Sequence, residues 1–503
     1  MPSQPTTARP PGDGPARSTA CGGPRGRGAG PPHDDASLLP ASAPAKGEPH
    51  TCRAGVRPRG DPVARRAGAG SRPGPPPVPE HTLRPHDHEE SPVSEKTTCA
   101  VIGGGPAGMV LGLLLARAGV EVTVLEKHAD FLRDFRGDTV HPSTMRLLDE
   151  LGLYERFAAL PHSRIRRISF PLGDGRSVTL ADFGRLRGQP HPYVAMVPQW
   201  DLLNLLAEAG RAEPAFTLRM RHEVTGLLYD SGRVAGVRYR GPDGPGELRA
   251  DLTVACDGRR STVREQAGLV PREYPVNLDV WWFRIPTAGP VEPALLPRFG
   301  RGRAFAAIPR EGYLQIAYLG PKGADARLRR RGIEALRRDV AELMPELSGA
   351  VGALASMDDV KHLDVRLDRL RRWHTDGLLC IGDAAHAMSP VGGVGINLAV
   401  QDAVAAARLL AAPLRRGRVT GRDLDAVRRR RLLPTAVTQA LQRLLHRRLI
   451  GPVLQGRSAA PPKALPALLR RLPGLSAVPA RLIGVGVLPE RAPRFARRGR
   501  TAA

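Results

Sequence analysis

CAVIGGGPAGMVLGLLLARAGVEVTVLEK, residues 99–127, decides the fold. It begins with an apolar run, Cys99 to Ile102, that predicts a buried parallel strand. Gly103-x-Gly105-x-x-Gly108, with Pro106 and Ala107 inside it, leads into a helix-period segment. A second apolar run, Glu121 to Leu125, completes a βαβ unit of about thirty residues. In such a unit Gly103 permits the tight turn, Gly105 lets the backbone approach a pyrophosphate, and Gly108 lets helix pack on strand. The free N–H groups of the helix start then face the negative charge. Glu126, followed by Lys127, ends the second strand, where a carboxylate accepts both hydroxyls of an adenosine ribose. An acid there, in place of an arginine, argues against a 2′-phosphate in this site. This stretch leaves FAD and NAD equally open.

Residues 1–93 are crowded with Pro, Gly, Ala and Arg and show no helical or strand period. Such a segment buries too little apolar surface to offset its ordering entropy, so it reads as disordered. It lacks the continuous apolar stretch of a signal peptide. The sequence VSEKTTCAVIGGG from Val93 resembles a natural start, so Val93 is a candidate initiator. The net charge of +26 is concentrated at the other end, since residues 411–503 hold 21 Lys and Arg against three Asp and Glu. Only six of the 75 basic residues are Lys, an arginine bias in keeping with a GC-rich genome, and the segment reads as a solvated helical appendage. Phe495 is its sole aromatic residue, which argues against a single-strand nucleic-acid platform. Cys21, Cys52, Cys99, Cys256 and Cys380 show no metal-ligand spacing, and the last three sit in apolar runs as core residues of a chain suited to a reducing cytoplasm. No apolar run is long enough to span a membrane.

Two further motifs narrow the ligand. ADLTVACDGRRSTVREQAGL, residues 250–269, is a strand ending in Asp257-Gly258. GLLCIGDAAHAMSPVGGVGINLAVQDAVAAARLL, residues 377–410, is a strand ending in Gly382-Asp383, then a Pro/Gly loop and an Ala-rich helix. An acid at a strand end can grip a polyol hydroxyl, and FAD has a polyol where NAD has none. Taken singly, Asp257 and Asp383 also suit helix N-caps.

With GGGPAG, CDGRRSTVR and IGDAAHAMSPVGGVGIN in this order, the chain resembles the FAD-dependent aromatic hydroxylases, single-component flavoprotein monooxygenases similar to para-hydroxybenzoate and ubiquinone-biosynthesis hydroxylases. The resemblance covers roughly residues 97–410. It implies that Gly103, Gly105, Pro106, Ala107 and Gly108 hold the FAD pyrophosphate, and that Glu126 and Lys127 lie at the ribose. By the same resemblance Arg136 reaches the diphosphate, Gln199 lies near the flavin, and Asp257 touches the FAD and NAD(P)H regions. Gly382 and Asp383 would hold the ribityl portion, with Pro390, Gly392, Gly395, Ile396 and Asn397 under the isoalloxazine edge. Val394 and Ile396 stand where many relatives of that family carry Gln or Arg and Met or Ala, and this more apolar loop suggests an apolar substrate or altered flavin mobility. His386 reads as structural beside the flavin loop, and His141 as a residue capping or bonding near a helix start.

The implied reaction is hydroxylation of a small aromatic or polyketide-like molecule through a flavin C4a-hydroperoxide, with NADPH or NADH and O2 as co-substrates and no metal. DVWWFRIP, residues 279–286, partly resembles the WxWxIP stretch of flavin-dependent halogenases, with Phe283 in place of the second Trp. Halogenation, and a non-catalytic flavoprotein whose basic C-terminus binds an acidic partner, are the alternatives. Strand alternation nominates Trp282, Arg284, Gln315 and Tyr318 for the substrate wall. The expected fold is α/β: a discontinuous Rossmann-like FAD-binding domain over 94–410, an inserted mixed-sheet substrate domain near 171–189 and 271–361, and a basic helical region over 411–503. The helix expected at Ala436–Leu454 is amphipathic and packs on the body or on a second subunit, so monomer and homodimer both stay open.

Overall fold

The apolar runs around the glycines become the middle of a parallel sheet. Cys99–Ile102 and Val122–Glu126 are buried throughout, and strands covered on both faces have no reason to alternate. The computed structural model describes residues 94–132, 138–171, 177–287, 294–300, 302–310, 312–457, 468 and 471–499. The tail over 1–93, with the proposed start at Val93, and Arg136 therefore lie outside the described residues, as do Cys21 and Cys52.

The first sheet runs in the order His374–Thr375, Leu378–Cys380, Gly244–Ala255, Ser94–Ile102, Val122–Glu126, Phe216–Met220. The five strands from Leu378–Cys380 to Phe216–Met220 are parallel, and the strands Glu223–Asp230 and Arg233–Gly241 fold off Gly244–Ala255 as antiparallel neighbours. Helices Pro106–Ala116, Gln199–Arg211 and Gly395–Arg415 pack together beside it. Pro106 starts the first of these, where its missing N–H costs nothing, and every residue from Ala107 to Ala116 is buried. Cys99 and Cys380 are free and buried in this core, and burial pushes the Cys99 thiol up to about 12.

The second sheet is ordered Lys361–Leu363, Leu278–Pro286, Tyr313–Pro321, Arg303–Pro309, Ala294–Gly300, Arg167–Pro171, Ser177–Asp182. It is antiparallel except where Ala294–Gly300 runs parallel to Arg167–Pro171. Helix Asp325–Leu343 covers one face, on which Trp281, Phe283, Ile285, Phe305, Leu314, Ile316 and Tyr318 meet Leu328, Leu336 and Val340. The Trp281 indole N–H donates to Asp325 Oδ1 at 2.7 Å and fixes the helix start to the sheet.

The C-terminal region corrects the expectation of a solvated appendage. Helix Gly421–Leu445 begins with a reciprocal Thr420–Asp423 capping box, and its Arg431 is 1% exposed. Arg431 Nε donates to buried Asp402 Oδ1 at 2.8 Å, and Arg430 grips Glu490 through two bonds of 2.6 and 2.9 Å. The last described segment returns to the first sheet's helices, where Ala492 N donates to Glu150 Oε2 at 2.7 Å and Arg117 Nη1 to Ala496 O at 3.0 Å. A charge count could not show this, because the carboxylates that neutralise these arginines lie far away in sequence. Among the described residues no helix is long and apolar enough to cross a membrane.

Candidate flavin and substrate site

The three sequence motifs converge on one place. Gly103 turns at φ +103°, and a Cβ there would sit 2.6 Å from the carbonyl oxygen of Cys256, which joins the first motif to the second. A Cβ on Gly382 would lie 3.4 Å from that of Ala107, which joins the first to the third. The second and third are tied by Arg259 Nη2, donating to Asp383 Oδ2 at 3.1 Å, and by Arg264 Nη1, donating to Ala384 O at 3.2 Å.

Each glycine of the first motif meets a different constraint. A Cβ on Gly108 would fall 2.0 Å from Gly103 O, so only a bare backbone lets the helix sit on the turn. Around Gly105 nothing lies within 4 Å of the Cβ position. Gly105 is also the N-cap of Pro106–Ala116, with no side-chain cap and no acid in the first turn. An open gap above unspent N–H groups, at the positive end of a helix, fits a diphosphate. Beneath the turn, Glu126 is 3% exposed, and its carboxylate accepts from Gly104 N at 2.8 Å and His128 N at 3.1 Å. Two backbone bonds fix the orientation of the group beneath the turn. Lys127 points to the surface, 3.9 Å from Glu223.

Neither Asp257 nor Asp383 is a helix N-cap. Ser261 caps Thr262–Gln266 through a 3.0 Å bond to Arg264 N, and Ile381 precedes the turn that contains Asp383. Asp257 accepts weakly from Val263 N at 3.4 Å, and its shielded Oδ1 has no hydrogen-bond partner among the described residues. Burial raises the Asp257 carboxyl above its usual range.

The loop from His386 to Asn397 is clamped from two sides. On one side His141 Nε2 lies 3.0 Å from Gly393 O, while Ser143 Oγ and Thr144 Oγ1 donate to Asn397 Oδ1 at 2.7 and 2.8 Å. His141 thus bonds across to this loop and leaves its own helix uncapped, and burial drives its imidazole down to about 4. From the other side, Gln439 donates to Ala387 O at 3.2 Å, Gln442 to Ser389 O at 2.9 Å, and His446 Nε2 meets Ser389 Oγ at 2.9 Å. His386 is 1% exposed and bonded to Asp402 Oδ2 at 2.6 Å, a structural position. Within the loop Pro390 is half-buried, Gly392 is exposed at φ +84°, Gly395 opens helix Gly395–Arg415, and Ile396 is buried. Val394 lines a small cleft with Leu482, Ile483 and Val485. Gln199 begins helix Gln199–Arg211 and gives its backbone N–H to Asp138.

The substrate-wall nominations need one correction. Arg284 pairs with Gln315 and Trp282 with Ala317 across the strands, so Trp282, Arg284 and Gln315 share the face turned away from helix Asp325–Leu343. Tyr318, three positions from Gln315, falls on the other face and stacks on Phe305 at 4.7 Å. Three is an odd number of strand steps, which places the two side chains on opposite sides. The wall's central ion pair was missed in the sequence: Arg310 Nη2 meets Asp138 Oδ2 at 2.5 Å, while Arg310 Nε donates to Gln315 Oε1 at 3.0 Å. Burial raises the Asp138 carboxyl against the pull of Arg310. Arg310 Nη1 and Trp282 Nε1 are both shielded and without hydrogen-bond partners among the described residues. A lone arginine ending the apolar AFAAIP run was the available signal, but its partner 172 residues upstream was not legible.

A glycine turn at a helix start, with an acid at the end of the next parallel strand, is the arrangement of a dinucleotide-binding α/β scaffold. The family model described as an FAD binding domain matches residues 96–441. A 6-methylpretetramide 4-monooxygenase from Streptomyces rimosus is 36% identical over 389 residues, which cover 77% of this chain and 92% of the relative. Among solved structures, an anhydrotetracycline hydroxylase from Streptomyces rimosus matches with a TM-score of 0.62 at 26% identity, over 79% of this chain and 77% of that one. A myxobacterial chondrochloren halogenase matches with a TM-score of 0.62 at 20% identity, over 80% and 95%, a likeness of fold alone. The chain belongs to the FAD-dependent aromatic hydroxylase family and is an FAD-dependent monooxygenase, for which O2 is a substrate.

Proposed function

We propose that this monooxygenase hydroxylates a polycyclic aromatic substrate of the polyketide type at the expense of NADPH or NADH. The observation that carries the reading is the 36% identity to the 6-methylpretetramide 4-monooxygenase across 92% of that relative. The wall supports it: an indole, Trp282, beside a few buried polar groups is the composition of a pocket for a flat apolar ligand with polar edges.

Bound FAD would supply the electron transfer and the oxygen activation. Gly103, Gly105, Pro106, Ala107 and Gly108 would cradle its diphosphate, Glu126 its ribose with Lys127 at the rim, and Arg136 would add charge to the diphosphate. Asp257, Gly382 and Asp383 would hold the central portion, with Gln199, Pro390, Gly392, Gly395, Ile396 and Asn397 around the ring. On the substrate side, Arg310, Gln315 and Arg284 would orient polar edges, while Trp282 would cover the ring plane and exclude water.

Anaerobic addition of NADPH and then NADH to the purified flavoprotein tests the reading. Flavin bleaching that a tetracyclic phenolic polyketide accelerates, followed by a hydroxylated product in air, supports it. A flavin that neither coenzyme reduces, with or without that substrate, overturns it.

A further inference from the structure

Arg272, Arg369 and Arg443 come from three distant parts of the chain and surround one ring, that of Tyr274. Their guanidinium carbons lie 5.4, 5.7 and 4.8 Å from its centroid. Arg272 and Arg369 are direct partners across the short antiparallel pair Pro271–Glu273 and Asp368–Leu370, an arrangement of like charges that disfavours strand pairing. Arg443 adds a third cation from the last turns of helix Gly421–Leu445.

Two other arginine clusters of this protein are neutralised. Arg303 and Arg331 share Asp339, and Arg430 and Arg431 reach Glu490 and Asp402. Around Tyr274, by contrast, the three arginines form no ion pair among the described residues, and their contacts are with the neutral Tyr274 and Gln439. Arg369 spends two N–H groups on neutral acceptors, Tyr274 Oη at 3.0 Å and Gln439 Oε1 at 3.3 Å. Arg443 Nε is shielded and has no hydrogen-bond partner among the described residues. A ring offers one negative face on each side, so cation–π attraction accounts for two of the cations at most. Arg272 is exposed, and the other two are half-buried, so the cluster is open to solvent.

We propose that Arg272, Arg369 and Arg443 around Tyr274 form a phosphate-binding site. Guanidinium forks suit a phosphate dianion in geometry and charge, and the anion would relieve the opposed arginines. Position suggests the carrier. Tyr274 packs with Leu367 against Met388, and Gln439, which accepts from Arg369, donates to Ala387 O, so the cluster abuts the loop assigned above to the flavin. The phosphates of the reducing dinucleotide are the ligand that chemistry and place favour, and that identification rests on the NAD(P)H-consuming reading. A free phosphate ester shares the chemistry and is distinguished by the test.

The test uses the full-length holoprotein with Arg272→Gln, Arg443→Gln and the double variant, and with Arg272→Lys as the charge-conserving control. Loss of one charge-assisted fork is expected to raise the KM for NADPH about tenfold while bound FAD is retained, with Arg272→Lys recovering part of the loss. An equal rise for NADH places the diphosphate here, and a rise for NADPH alone places the 2′-phosphate. Inorganic phosphate should raise the thermal midpoint of the parent protein and not of the double variant, a readout independent of coenzyme. If neither coenzyme reduces the parent flavin but phosphate stabilisation is lost in the double variant, the coenzyme reading fails and the site stands. Phosphate stabilisation equal in parent and double variant, with coenzyme KM unchanged, overturns the site.

Discussion

Asp402→Asn removes one charge from a fully enclosed network and changes almost no volume. Asp402 is 0% exposed and accepts from three donors: Gly382 N at 3.1 Å, His386 Nε2 at 2.6 Å and Arg431 Nε at 2.8 Å. Burial pushes its carboxyl up, but His386 and Arg431 together outweigh burial and hold it below the usual range. Neutralising it strands the Arg431 guanidinium, itself 1% exposed, with Glu490 4.0 Å away as its remaining carboxylate. Breaking a buried pair from one side costs about 3–5 kcal/mol, and the residual attraction of Glu490 points to the lower end, about 3 kcal/mol. With a urea slope of about 3 kcal/mol per molar, the unfolding midpoint should fall by about 1 M at fixed FAD concentration. Adding Arg431→Met removes the stranded cation and should recover most of the loss, because the penalty of breaking a buried pair from one side is the uncompensated charge left behind. The reasoning fails if the single variant shifts the midpoint by less than about 0.3 M, or if the double variant is as unstable as the single one.

The glycine turn separates packing from binding: Gly105→Ala should leave the flavin-free protein's thermal midpoint within about 2 °C yet weaken FAD affinity at least about tenfold, because its Cβ meets only the open space proposed for the diphosphate. Gly108→Ala should lower both, since its Cβ collides with Gly103 O at 2.0 Å; calorimetry with flavin titration distinguishes the pair. At the wall, Arg310→Met should raise the substrate KM about tenfold, and Tyr318→Phe should leave it unchanged, so an equal effect of the two in steady-state assays would refute the facing assignment. Burial depresses His446 to about 4, so the folded state keeps this imidazole neutral while the unfolded chain takes a proton below its ordinary pKa of about 6.5. Its stabilising contribution is then complete above about pH 6.5 and is lost as pH falls toward about 4; His446→Gln should flatten urea midpoints measured across that window.

Local constraints made the first sheet and much of the candidate site legible in the sequence. A strand buried on both faces must be continuously apolar, a turn at φ +103° against a carbonyl must be glycine, and both requirements are met by adjacent residues from Cys99 to Gly108. The same holds for strand parity, since counting from Gln315 to Tyr318 was enough to part them, although the sequence reading grouped them. What tertiary structure decided is the pairing of charges and the clamping of the loop. Arg310 with Asp138, Arg431 with Asp402, and His446 with Ser389 lie 172, 29 and 57 residues apart, and none leaves a periodic trace. An arginine reads the same in sequence whether it is solvated or sealed against a carboxylate. Only the folded chain brings the partner within hydrogen-bond reach, which is why the +18 of residues 411–503 read as a surface property although Arg431 is sealed against Asp402.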